Sequence, residues 1–195
     1  SSLQSYLHLN YVPSPQTIFN NVIDVYRKVR NISRFMLQNC ADFVFSKDAI
    51  KHDQLLPLDA YAVQRAMKLL YECYNAYFEM DFPRVVSKVA EFSSDFLSTF
   101  YCDILKDTLY CELVTSHKRR SAQTALWIVL DSLNNVIAPV LSYMSEALFK
   151  EMVKLDPSMQ KNKECVSVHV NSQVLDLLSQ YTTIKSQSNV IDESY

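Results

Sequence analysis

The sequence predicts an all-α antiparallel helical bundle, and three observations carry that prediction. None of the 195 residues is glycine, which disfavours the tight two-residue hairpins from which sheets are built. Apolar residues recur at steps of three and four along most of the chain, the spacing of one helical face. Ser14-Pro15, Asp81-Phe82-Pro83 and Asp156-Pro157 punctuate it, each at a place where a helix starts or must stop. About five or six helices follow, in a layered helical domain. The reading divides the chain into an irregular segment 1–13, a helical domain 14–155 and a C-terminal linker or junction 156–195.

Each element has a local reason. Ser14 can cap a first helix and Pro15 suits its first position, where a missing N–H costs nothing. That helix reaches about Gln38, with apolar groups at 18, 22, 25, 29, 32 and 36, and Arg27, Arg30, Asn31 and Arg34 on another face beside Lys28. Residues 39–57 read as a loop. A second helix spans about Leu58 to Glu79, with Val63, Met67, Leu70, Tyr74, Tyr77 and Phe78 near one stripe. Val85, Val86, Val89 and Phe92 open a third, which Ser93-Ser94-Asp95 either interrupts or caps anew; the sequence does not decide. Apolar groups at 96, 97, 100, 101, 104, 105, 109 and 110 then form a wide stripe, with Asp95, Asp103, Lys106 and Asp107 opposite. After the basic turn at His117–Arg120, Ser121 to about Ile137 forms a helix with Ala125, Leu126, Val129, Leu133, Val136 and Ile137 inward. Pro139 breaks it. Ser142 to about Val153 is a further helix, ended by Asp156-Pro157. Beyond a polar linker at 158–163, the alternation of Val166, Val168 and Val170 suggests an extended tie. Residues 172–184 suggest a last helix, and 186–195 a frayed end.

Composition excludes more than it assigns. Without glycine there can be no P-loop, dinucleotide fingerprint or nucleophile elbow. A net charge of −2 argues against a general nucleic-acid binder, so any such role rests on local cation clusters. No run of about 18 apolar residues exists, so no membrane span is expected. The N-terminus has no signal-peptide pattern, and its first residue, Ser1, suits a processed form or a piece of a longer chain. Cys40, Cys73, Cys102, Cys111 and Cys165 are odd in number and hold no Cys-x-x-Cys; they read as small core residues in a reducing compartment. The four His are scattered, Asp103 and Asp107 read as a solvated face, and no nucleophile stands beside a base. The expectation is no catalytic residue, no metal ligand and no cofactor within this segment.

Cations are the stronger signal. Arg27, Arg30 and Arg34 span two turns on one face, and Asn31 adds a hydrogen-bonding amide. Lys118, Arg119 and Arg120 sit at a helix N-terminus, where cations oppose the macrodipole. On spacing alone, a solvated face with surface ion pairs is the commoner reading of the arginine stripe and phosphate binding the second, while the small local cost of the cations at the helix N-terminus suggests another use for them.

Three stretches carry a resemblance: Tyr26-Arg-Lys-Val-Arg-Asn-Ile-Ser-Arg-Phe-Met-Leu37, Phe100-Tyr-Cys-Asp-Ile-Leu-Lys-Asp-Thr-Leu-Tyr110 and Arg119-Arg-Ser-Ala-Gln-Thr-Ala-Leu126. Together with Leu58-Asp59, Ala76-Tyr77, Ile137-Ala138-Pro139-Val140-Leu141-Ser142 with Glu146, and Ser167-Val168-His169-Val170, they resemble the α-helical anticodon-binding domain of bacterial and mitochondrial isoleucyl-tRNA synthetases. The likeness runs in order through about residues 14–170. Ile32 and Thr108 depart from a usual Thr and Arg, Ala60 from a usual Arg, and a tryptophan is absent after His169.

The resemblance implies a fold of the class I synthetase anticodon-binding type. It implies a parent ligase that joins isoleucine to tRNA(Ile) with ATP and Mg2+, in a catalytic domain whose His-Ile-Gly-His and Lys-Met-Ser-Lys-Ser motifs are not here. This segment would be inactive alone, a monomer without membrane contact, with tRNA(Ile) and the catalytic domain of the same polypeptide as partners. The implied RNA-facing set is Arg27, Arg30, Asn31, Arg34, Lys106, Lys118, Arg119 and Arg120. The mitochondrial matrix is the expected compartment, with bacterial cytoplasm as the alternative. Two other readings stay open: a helical scaffold or protein-interaction module without RNA contact, and the same domain of a valyl, leucyl or methionyl enzyme.

Overall fold

The computed structural model describes residues 15–162. Helix α1 spans Pro15–Asn39. The connection after it holds a short α2, Phe45–Asp48, and a 3-10 turn, His52–Gln54. Helix α3 is Pro57–Phe78. A single rod follows, made of α4 (Phe82–Glu91), a π-helical stretch Phe92–Tyr101 and α5 (Cys102–Cys111). Helix α6 is His117–Ile137 and α7 is Ser142–Leu155, closed by a 3-10 turn at Pro157–Asn162. No strand occurs among the described residues, and none of their helices is long and apolar enough to cross a membrane. The extended tie at Val166–Val170 and the helix at 172–184 lie outside the described residues.

Helix α6 is the axis. Every residue from Ser121 to Asn134 is buried, on all faces. The sequence predicts one inward stripe here, because Ser121, Gln123, Thr124, Asp131, Ser132 and Asn134 interleave the apolar positions. A helix covered all round needs its polar groups paired, and much of that pairing goes to the connection between α1 and α3. The Ile50 amide donates to Thr124 Oγ1 at 3.1 Å, the Leu56 amide to Ser121 Oγ at 2.9 Å, and Gln123 Nε2 to the Asn39 carbonyl at 2.9 Å. A segment that reads as loop is thereby pinned to the core. At the other end of α6, Tyr77 donates to the Val136 carbonyl at 2.6 Å and Ser145 to that of Asn134 at 3.1 Å. Trp127 is fully buried, stacked on Phe45 with ring centroids 5.9 Å apart and 6.3 Å from Phe43.

The open question at Ser93-Ser94-Asp95 resolves as one continuous rod that changes its hydrogen-bond register. A π-helical turn bonds i to i+5 and so spaces its inward positions more widely than an α-turn. Phe96 and Tyr101, five apart, both face the core and stack with centroids 5.9 Å apart. The α-helical stripe puts Phe100 and Ile104 inside; they are 43% and 47% exposed. Tyr110 and Phe78, also placed on stripes, are exposed near helix ends. Tyr101, Leu105 and Leu109 pack as expected. Cys40, Cys73 and Cys102 are buried, and burial foremost pushes each thiol up to about 12, which leaves them as unreactive core groups. Cys111 is exposed, and Cys165 lies outside the described residues.

The turn between α3 and α4 shows how a chain without glycine ends a helix. Met80 takes φ 57°, the left-handed position that glycine usually fills. Its amide bonds the Tyr77 carbonyl at 3.1 Å, and that of Asp81 bonds Ala76 at 2.8 Å, the Schellman pairing. Asp81 then caps α4 through Arg84 N at 3.1 Å. A left-handed non-glycine residue costs ~1–2 kcal/mol, of which glycine's greater chain entropy cancels part. Met80 is 74% exposed and contributes little packing. Met80→Gly should therefore stabilise the fold by about 0.5–1 kcal/mol, read as a higher urea midpoint at unchanged slope.

Candidate nucleic-acid interface

The sequence-predicted cations separate into two groups once folded. The core stripe of α1, from Val29 through Ile32 and Met36, is buried, so residues on its far side must face water. Arg27, Arg30, Asn31 and Arg34 are all exposed there. Arg27 lies 3.9 Å from Asp24, with both side chains well exposed, a pairing worth little. Arg30 and Arg34 have no ion pair among the described residues. Lys106 faces α1 across a groove that it lines with Lys28 and Asn31. It donates to Asp103 at 2.7 Å, which raises the ammonium pKa. Lys118 is exposed, 3.4 Å from Glu112. Thr108, where the family pattern has Arg, is buried.

Arg119 and Arg120 are turned inward, unlike the other cations of the sequence-predicted set. Their side chains are 16% and 15% exposed. Arg119 donates to the Leu109 carbonyl, in the last turn of α5, where a cation complements the macrodipole. Its other branch reaches Asp42 at 3.1 Å. Arg120 donates to the Asp42 carbonyl at 3.0 Å and to Gln123 Oε1 at 2.9 Å, with its guanidinium 5.7 Å from the Phe43 ring centre and 3.9 Å from Asp48. These contacts offset the cost of placing cations in the first turn of α6. Partial burial pushes the Asp42 carboxyl up, but hydrogen bonding and charge from Arg119 and a hydrogen bond from Gln123 outweigh it, so its pKa lies below the usual value. The cluster joins the ends of α1, α5 and α6; it is a structural clasp.

Sequence reasoning missed the groove wall opposite α1. Ser93, Ser98 and Thr99 line it, on the π-helical stretch. The available signal was hydroxyl residues five apart, Ser93 with Ser98 and Ser94 with Thr99, which is the π-helical repeat. It also missed a buried network: Tyr101 and Ser121 donate to the two oxygens of Asp59 at 2.8 and 2.6 Å. Among the described residues no three His, Cys, Asp or Glu side chains converge.

Comparison with known proteins decides the family. The family model described as the anticodon-binding domain of tRNA ligase matches residues 59–191. The chain belongs to that family. An isoleucine--tRNA ligase from Janthinobacterium sp. (strain Marseille) is 36% identical over 175 residues, 88% of this chain and 18% of that protein. Those from Azoarcus sp. (strain BH72) and Rippkaea orientalis (strain PCC 8801 / RF-1) are each 42% identical, over 66% and 71% of this chain and 14% of either relative. The family match begins at α3, but a likeness covering 88% of the chain takes in most of α1 wherever it starts. The chain thus spans under a fifth of the length of these ligases.

Proposed function

We propose that this chain binds the anticodon stem-loop side of tRNA(Ile) and holds it for aminoacylation by a catalytic domain outside these residues. The single observation that carries this is the anticodon-binding family match together with isoleucine--tRNA ligase relatives. The geometry supports it: α1 presents Arg27, Arg30 and Arg34 to solvent with no core role to occupy them, and Asn31 and Lys106 border the same surface. Phosphate contacts from such a face set the register of the bound RNA, and the domain's contribution to the reaction is positional. On its own the chain forms no isoleucyl-tRNA; a charging assay with isoleucine, ATP and Mg2+ should stay at background. The composition, poor in glycine and rich in Tyr and Phe, favours the mitochondrial matrix, and a transit peptide at the head of the full reading frame is the check.

The direct test is fluorescence anisotropy with an isoleucine tRNA over a salt series. Binding by the lone chain should fall at roughly 10⁻⁴–10⁻⁶ M and weaken with salt. Arg30→Glu with Arg34→Glu should weaken it at least about tenfold and lower the salt slope by about two. Unchanged affinity in that double variant overturns the assignment of the α1 face. Absence of salt dependence in the wild type overturns RNA binding itself and leaves the protein-interaction reading.

A further inference from the structure

A groove of about 410 Å³, distinct from the one beside Lys106, lies between the last turns of α1 and those of α7. Leu37 and Leu155 form its floor, half-buried against the core. Arg34, Gln38, Glu151 and Lys154 stand exposed on its rim. Leucines at such a floor forgo burial that a third element laid across them would supply. The chain leaves the described bundle at this same end. The Ser46 amide donates to Asp156 at 2.7 Å and Met159 is buried, so the turn Pro157–Asn162 is anchored beside the end of α7.

The sequence offers an occupant. The family match runs to residue 191, so the stretch shared with the anticodon-binding family continues past α7. Between 172 and 184, Val174, Leu178 and Tyr181 recur at steps of four and three, with Leu175, Leu177 and Ile184 beside them. A stripe of this kind finds its burial only against another element. Asp176 is the only charged residue in that stretch. The groove rim offers it two cations, Arg34 and Lys154, against one carboxylate, Glu151. Residues 163–171 reach up to roughly 30 Å when extended, more than the ~21 Å length of α7. The stripe can therefore return from Asn162 to the groove.

We propose that residues 172–184 of this chain dock in the groove, with Val174, Leu178 and Tyr181 on Leu37 and Leu155 and with Asp176 at the cationic rim. The proposal is independent of RNA binding, and its test contains no RNA. The measurement is hydrogen exchange by mass spectrometry on the full chain. Amides of 172–184 should exchange at least about tenfold more slowly than those of a free peptide of the same sequence. Leu37→Asp and Leu155→Asp should each abolish that protection, while peptides from α6 keep theirs and so report an intact core. Where a groove variant also loosens α6, Leu178→Asp replaces it, since that change lies in the segment itself. It is made in a Gln38→Cys background, and maleimide labelling is followed on the peptide that carries position 38. Labelling there should be about tenfold faster with Leu178→Asp than without it. Unprotected amides in the wild type overturn the proposal. Protection that survives both groove variants, or a labelling rate at position 38 indifferent to Leu178→Asp, puts the segment elsewhere and overturns it as well.

Discussion

Trp127→Ala should cost about 3–5 kcal/mol, the range for deleting a buried aromatic. Set against a typical total of ~5–15 kcal/mol, that leaves the chain near its unfolding threshold. Trp127 is fully buried at the middle of α6. Its ring stacks on Phe45 at an interplanar angle of 14° and tilts against Phe43, so the cavity would open beneath the connection between α1 and α3. Those residues are tied to Asp42 and Arg120, so the gap cannot close by a simple shift of one side chain. The indole N–H has no acceptor among the described residues, so only the aromatic bulk is in use. Trp127→Phe should accordingly lose less than half as much. The measurement is urea unfolding followed by far-ultraviolet circular dichroism, because Trp127 is the sole tryptophan. Equal losses for the two variants would show that the N–H carries the effect.

Asp59→Ala should be the second most damaging change, at about 2–5 kcal/mol. Asp59 is buried at the start of α3 and accepts from Tyr101 and Ser121, which are themselves fully buried. Removing the carboxylate orphans two hydroxyls, each at ~1–3 kcal/mol, and frees the Ser121 oxygen that holds the Leu56 amide. Burial raises the Asp59 pKa against the lowering influence of the two hydrogen bonds. The sign of the pH effect follows. A carboxyl with a raised folded pKa binds more protons when folded, so its contribution to stability falls as pH rises from the unfolded value through the folded one. Asp42 and Asp156, both lowered, act oppositely: their stabilisation is present above the unfolded value and is lost as pH falls through the folded one. The stability advantage of the wild type over Asp59→Asn isolates the first effect, and it should grow as the pH is lowered through the raised folded pKa to the usual carboxylate range, then level off. An advantage that shrinks over that range would contradict the assignment.

The helical periods were legible in the sequence because they are set by neighbours three and four residues away. Ser14-Pro15 and the stripe through Val29, Ile32 and Met36 determined α1, and with it the exposure of Arg27, Arg30 and Arg34, since whatever lies opposite a buried stripe faces water. The motifs carried the family for the same reason: they are runs of adjacent residues. What the sequence could not decide involves partners distant along the chain or a change of local register. Arg119 and Arg120 look free in a basic turn; only the fold brings Asp42, some 77 residues away, against them. Phe100 and Ile104 look like core residues on an α-helical wheel; the π-helical bonds of Phe92–Tyr101 turn them out and put Tyr101 on Asp59. The full burial of α6 was hidden by its own polar residues, whose partners lie on the connecting segment and on α7. Local spacing thus determined the helices, the exposed arginine face and the kinship, whereas long-range hydrogen bonding and charge pairing, which exist only after packing, decided which cations stay exposed and which are tied to carboxylates.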